Sequence, residues 1–274
     1  MPELTSAPNL SSLYLKAVTS GRSRSGSTLP DTEYVRRGIA IDRDHLAEYG
    51  LVCGFGLRDE LPLTYPHVLS FGMSVQLMTD PGFPFPLVGL VHVANSIEQR
   101  RPLLVTDELT QAVRVAGLRP HPKGRQFDVI TETSVDGEVV WSEVSTYLRR
   151  GKPDDSAPRQ EVEGLDAGAP TAKWRLPADL GRRYAAVSGD RNPIHLHALT
   201  AKAFGFPRAI AHGMWSKARC VAAFEGRLPD ACRVDVEFRK PVLLPSTADF
   251  TERGRDFALH SRSGKPHLFG SISG

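Results

Sequence analysis

Two stretches of this chain repeat the same landmarks in the same order, which constrains its fold more than any other feature of the sequence. Glu48-Tyr49-Gly50-Leu51-Val52-Cys53-Gly54 aligns with Arg183-Tyr184-Ala185-Ala186-Val187-Ser188-Gly189 at an offset of 135 (184 minus 49). Further on, Arg101-Pro102-Leu103-Leu104 aligns with Lys240-Pro241-Val242-Leu243 at an offset of 139 (241 minus 102). Landmarks in one order at nearly one offset are the mark of a duplicated unit. Between them, residues 149–172 read RRGKPDDSAPRQEVEGLDAGAPTA, a run of Pro, Gly and charge with no apolar period to bury. The expected organisation is an N-terminal extension over 1–30, a first domain over 31–149, a linker over 150–172 and a second domain over 173–274.

Each half gives the same order of elements. In the second, Ala178 to Val187 predicts a short helix closed by Gly189, and Thr200 to Phe204 another closed by Gly205. From Gly213 to Glu225, Met214, Ala218, Val221 and Ala222 follow helical spacing, so one face of this longer helix must be buried. The period then drops to two: Val234, Val236 and Phe238 alternate with Arg233, Asp235 and Glu237. Strand-like runs follow over 248–253, 256–262 and 267–272. The first half repeats this with a helix from Pro66 to Met78, where Pro66 suits a first turn, and strands over 88–97, 104–118, 126–134 and 138–148. A buried helix followed by consecutive antiparallel strands is an α+β plan in which the sheet wraps the helix.

Composition narrows the partners. With 274 residues, 41% of them apolar and 24% charged, the chain can bury one large core or two small ones. A net charge of +3, with Lys and Arg spread along the chain, argues against nucleic acid. Cys53, Cys220 and Cys232 are odd in number and have no metal-ligand spacing, which fits a reducing, cytoplasmic setting. Met1 to Pro30 lacks the apolar core of a secretory signal. The most apolar stretch, Leu69 to Val91, is broken by Asp80 and three prolines, so no membrane span is expected.

The chemistry concentrates between Tyr184 and Gly213. Gly189-Asp190-Arg191-Asn192-Pro193-Ile194-His195 sets a carboxylate and an imidazole five residues apart, read here as a proline-stiffened loop and not a helix. An Asp and a His sharing one water supply both proton transfers needed to add or remove water across a double bond. Removing the α-proton of a thioester puts negative charge on its carbonyl oxygen. Gly213 opens the long helix, where free N–H groups and the helix dipole favour an anion, and such a donor is worth roughly 3 kcal/mol in the transition state. Asp190, His195 and Gly213 would then complete the site with no metal or organic cofactor.

The string G-D-x-N-P-x-H, followed by Ala203-x-x-Gly205-Phe206-x-x-Ala209-Ile210-x-His212-Gly213, resembles the signature of the MaoC-like dehydratases and R-specific enoyl-CoA hydratases. The likeness is nearest to the actinobacterial two-hotdog 3-hydroxyacyl-thioester dehydratases, which carry motifs similar to Pro62-Leu63-Thr64-Tyr65-Pro66 and Phe83-Pro84-Phe85. The resemblance implies a double hotdog fold and reversible dehydration of (R)-3-hydroxyacyl to trans-2-enoyl thioesters of coenzyme A or acyl carrier protein. It also implies Asp190 and His195 as the catalytic dyad, Asn192 as the orienting residue and the Gly213 amide as oxyanion donor. Which member of the dyad handles the water stays open, as do a homodimer, a hotdog thioesterase and a non-catalytic acyl-binding subunit. In the first half, Phe55 and Glu60 stand at the 135 offset from Asp190 and His195, so one active site per chain is expected, the first half accommodating the acyl tail.

Plainer readings compete. Asp190 and Asn192 are also good turn formers. His195 and His197 alternate as on one face of a strand and, with His212, raise a metal site, which the acid–base reading makes unnecessary. Gly213 also suits tight helix packing. Met78, Phe83 and Phe85 read as buried core ahead of an acyl tunnel. Arg239 and Lys240 read equally as a solvated strand end or as a contact for phosphates or an acidic carrier.

Overall fold

The computed structural model describes residues 2–10, 12–14, 26–152, 157, 164–166 and 169–274. Parts of the expected N-terminal extension (1, 11, 15–25) and of the expected linker (153–156, 158–163, 167–168) lie outside the described residues. The first half contributes β1 (Glu33–Ile39), α1 (Arg43–Cys53), α2 (Tyr65–Thr79), β2 (Leu90–Gln99), β3 (Leu109–His121), β4 (Gly124–Val135) and β5 (Glu138–Arg150). The second contributes β6 (Ala172–Leu176), α3 (Leu180–Ser188), α4 (Pro193–Leu196), α5 (Ala198–Ala203), α6 (Gly213–Ala222), β7 (Cys232–Phe238), β8 (Ser246–Arg253), β9 (Asp256–Ser261) and β10 (Pro266–Ser273).

The ten strands among the described residues join one sheet in the order β1-β3-β4-β5-β2-β7-β10-β9-β8-β6, five from each half, with every strand pairing antiparallel. The halves meet where β2 pairs with β7, Ser96 facing Asp235. Those two residues are themselves 139 apart, the offset of the Pro102 and Pro241 landmarks, so an approximate twofold axis passes between them. This is the double hotdog: each sheet half wraps its own long helix.

The helices are buried for a readable reason. In α2, 13 of 15 residues are buried, and the helix is apolar nearly all round, as a helix enclosed by a sheet must be. α6 departs from the expected single buried face. Eight of its ten residues are buried, Ser216 and Lys217 among them, and it ends at Ala222 before the expected Glu225. Met78, Phe83 and Phe85 pack with Met73, Leu77, Val113, Phe127 and Val129 in a small core of the first half, so the core reading holds for them. The larger core runs through both halves and includes Tyr49, Trp141, Tyr184 and Trp215.

The repeat is visible in the local geometry. α1 and α3 both stop at a glycine in the left-handed conformation, Gly54 at φ 86° and Gly189 at φ 73°, whose amide bonds back to the helix. Next comes an isolated bridge in each half, Glu60 with Leu104 and Ile210 with Leu243. The offset is 135 at the glycines but 150 (210 minus 60) at the bridges, so the second half holds fifteen more residues in this interval. Glu60 is therefore the counterpart of Ile210, not of His195. The first half lacks the whole segment that carries the imidazole. Two strands were not expected from the sequence. β1 (EYVRRGI) has a poor apolar alternation, and β6 begins at Ala172, the last residue of the expected linker.

Candidate active site

Asp190 follows directly on the Gly189 cap, so the end of α3 aims it. Its amide donates to Ser188 Oγ (3.2 Å). His195 sits on α4, a single helical turn, which corrects the expectation of a non-helical loop and of a strand-like alternation with His197. The turn forms because Pro193 occupies its first position and Asn192 caps it, Oδ1 accepting from Ile194 N at 3.4 Å. The Asn192 amide donates to Asp190 Oδ1 (3.1 Å), so one residue ties the carboxylate to the turn that carries the imidazole. Gly181 of α3 lies directly under this turn: a Cβ there would overlap the carbonyl oxygen of His195.

His195 Nδ1 lies 2.8 Å from the carbonyl oxygen of Ile210, which can only accept, so Nδ1 carries the proton and Nε2 presents a lone pair. Burial lowers its pKa, with Asp190 pulling the other way, and keeps the ring neutral. Burial alone would raise the Asp190 carboxyl. His212, His195, the Tyr14 hydroxyl and the Asn192 amide more than offset this and hold it below the usual carboxylate range. The resting pair is thus an ionised carboxylate and an imidazole with a free acceptor nitrogen.

His212 completes the cluster. Its ring stacks on His195 at 3.7 Å between centroids, Nε2 donates to the Asp190 carbonyl oxygen (2.9 Å), and Asp190 Oδ2 is 3.8 Å from the same nitrogen. Burial drives the His212 pKa down to about 3, so this ring too is neutral. One ligand atom from each of Asp190, His195 and His212 lies within 4.8 Å of the other two, a spacing that could hold a metal ion. With His212 Nε2 and His195 Nδ1 both donating to carbonyls, the groups left to accept are Asp190 Oδ2, His195 Nε2 and His212 Nδ1, the last buried without a hydrogen-bond partner.

Gly213 is the first residue of α6. His212, the N-cap, makes no side-chain cap bond, so its side chain does not occupy the amides at this helix end. A Cβ on Gly213 would press on the Phe238 ring at 3.2 Å, so the missing side chain serves this packing as well as access to the amide. Asp190, Asn192, His195, His212 and Gly213 all line one cavity of about 400 Å³. Its walls come from both halves: His67, Phe71, Val91 and Tyr147 from the first, Ile210, Met214 and Phe238 from the second. Arg150, Arg239 and Lys240, all exposed, also line it and make a cationic rim.

His212 is legible in the sequence only within the motif and as a candidate metal ligand. Tyr14 escapes the sequence reading: it lies in a Ser- and Gly-rich stretch 176 residues from Asp190, yet its hydroxyl donates to Asp190 Oδ1 at 2.6 Å.

The chain is similar to known proteins in sequence and in fold. Residues 160–260 match the model of the MaoC like domain. The 3-hydroxyacyl-thioester dehydratase X of Mycobacterium tuberculosis is 40% identical over 255 residues, 90% of each chain. The crystal structure of HtdX from the same organism matches with a TM-score of 0.79 at 38% identity, covering 89% of this chain and 100% of that one. The peroxisomal enoyl-CoA hydratase 2 of Arabidopsis thaliana is 28% identical over 191 residues, 64% of this chain and 61% of its own. Likeness along nearly the whole length of a dehydratase, together with the matching domain, shows that this chain belongs to the MaoC-like dehydratase family.

Proposed function

We propose that this enzyme interconverts (R)-3-hydroxyacyl and trans-2-enoyl thioesters of coenzyme A or acyl carrier protein, with Asp190 and His195 as the catalytic pair. The observation that carries this reading is the convergence of two unprotonated groups, Asp190 and His195 Nε2, within one water's reach of each other at the uncapped start of a buried helix. In the hydration direction, water lies between the two groups and loses a proton to the pair as its oxygen bonds to C3. The charge that develops on the thioester oxygen is held by the Gly213 amide and the helix dipole. The pair then returns the proton to C2, and both groups regain their starting state. Dehydration runs the same steps backward: the proton taken from C2 leaves with the C3 hydroxyl as water. Asn192 fixes the distance between the two groups through its amide and its cap.

The chain's halves divide the work in this reading. Residues 173–274 carry the chemistry, residues 31–149 wall the acyl pocket without a dyad of their own, and 150–172 join them. The cationic rim suits the phosphates of coenzyme A or the phosphopantetheine arm of a carrier protein. The three cysteines are free and buried, which suits a reducing cytoplasm.

The test is loss of enoyl absorbance when short-, medium- and long-chain enoyl-CoAs are incubated with the protein. Asp190→Asn and His195→Gln each abolish turnover while the protein stays folded, with a cooperative thermal transition. Full activity in either variant rejects the dyad. Release of free thiol in step with substrate consumption would instead mark a thioesterase.

A further inference from the structure

The N-terminal segment is fastened along the molecule and ends on the catalytic carboxylate. Leu4 N bonds to Val35 O (2.8 Å) and Val35 N to Pro2 O (3.1 Å), pairing the start of the chain with β1. Pro8 then packs on Gly72 of α2, where a Cβ would stand 3.2 Å from its Cδ. Leu10 covers Gly189, the residue before Asp190, so closely that a side chain on that glycine would collide with it. Asn9 caps the following turn, Oδ1 accepting from Ser12 N (3.2 Å), and Tyr14 reaches Asp190.

The contact divides the carboxylate's two oxygens. Oδ1 accepts from the Tyr14 hydroxyl and from the Asn192 amide, so the carboxylate cannot turn without losing both bonds. Oδ2 is left to face the imidazoles, 3.8 Å from His212 Nε2. We infer that Tyr14 is a positioning residue of the dehydratase reaction: the N-terminal segment delivers its hydroxyl to hold Asp190 in the one orientation that turns a free oxygen toward His195 and the reacting water. This rests on the assignment of Asp190 to the catalytic pair. Burial, followed by the Asp190 charge, raises the Tyr14 pKa well above that of an ordinary phenol, so the hydroxyl keeps its proton and remains a donor. The groups facing Asp190 are His195, His212, the phenols of Tyr14, Tyr147 and Tyr184, the Ser188 hydroxyl and the Asn192 amide. Tyr14 and the Asn192 amide are the donors hydrogen-bonded to its Oδ1.

The test is Tyr14→Phe in the full-length enzyme, with kcat, KM and the pH profile of kcat/KM measured on an enoyl-CoA beside Asp190→Asn. Losing one charge-assisted hydrogen bond lowers kcat by about tenfold to a hundredfold. KM and the melting temperature stay close to wild type. The acid limb of the profile moves up in pH, because a carboxylate that loses a donor is easier to protonate. A Tyr14→Phe enzyme with unchanged kcat and acid limb, while Asp190→Asn is inactive, overturns the role of Tyr14 alone. A raised KM with no shift of the limb also overturns it, since that marks a wall of the pocket. Full activity of Asp190→Asn overturns the dyad assignment on which the inference stands.

Discussion

Replacing Lys217 by methionine tests how the two halves are held together. Lys217 lies on α6 with no exposed surface, and its Nζ donates to Asn95 Oδ1, Asn95 O (3.2 Å) and Val234 O (2.9 Å). Asn95 in turn donates to Glu143 and Ser145, and His67 Nδ1 bonds to Glu143 at 2.8 Å. The network thus spans α2, β2, β5, α6 and β7, across the seam between the halves. Burial pushes the Lys217 ammonium down to about 7, with Glu143 pulling it back up. Three acceptors for three N–H bonds mark the charged form as the one this site is built for. Methionine keeps the volume but takes away both the charge and the donors. Breaking a buried charged network from one side costs about 3 kcal/mol, the low end of the usual range because Asn95 stands between Lys217 and Glu143. At about 2 to 4 °C per kcal/mol for a chain of this size, the melting temperature falls by about 6 to 12 °C. Thermal melts and urea titrations of Lys217→Met, Glu143→Gln and the double variant read this out. The double variant recovers part of the loss, because no charge is then left unpaired. A single-variant cost below about 1 kcal/mol, the level of an exposed pair, or strict additivity, refutes the reasoning.

Gly181→Ala forces the turn bearing His195 off α3, and a displacement of that kind lowers kcat/KM by about a hundredfold with the fold kept; a wild-type rate contradicts it. Acid destabilises the protein well above the range in which carboxylates titrate. Burial holds His92 and His212 neutral with pKa values near 3, whereas in the unfolded chain they take up protons near 6.5. Between those values the unfolded state binds more protons, so stability drops by about 1.4 kcal/mol for each unit by which pH is lowered, for each ring. Urea midpoints that stay level from about pH 6.5 to 4 would refute this. Depression of the Asp190 pKa acts lower still: its contribution is present above the unfolded carboxyl value and is lost as pH drops through the folded one. Asp190→Asn and His195→Gln abolish hydration while the chain still melts cooperatively from a folded state, as enoyl absorbance and thermal scans together will show.

Much of the catalytic geometry is written into one short segment, because the interactions that set it are local. Gly189 ends α3, Asn192 and Pro193 start the turn that holds His195, and Gly213 opens α6. Each depends on backbone angles or caps within a few residues, so residue types and spacing suffice to find them. The same holds for the alternation of Val234 and Val236 and for the near-constant offset between the halves. Spacing failed where a local rule had two outcomes. Asp190 to His195 read as a loop because a single turn is too short to show a helical period. Glu60 was matched to His195 because an offset has no knowledge of fifteen added residues.

What only the tertiary structure decided is which distant groups come to lie together, since burial and long-range hydrogen bonds depend on the sheet that brings them into contact. No pattern around Tyr14 points to a carboxylate 176 residues away, and no pattern around Lys217 points to a cation with no exposed surface. Sequence determined the duplicated plan, the long helices and the residues proposed to carry the acid–base chemistry. Pairing of β2 with β7 then fixed the shared cavity, the buried network beside it and the neutral state of its histidines, because desolvation is a property of the closed fold and not of any segment.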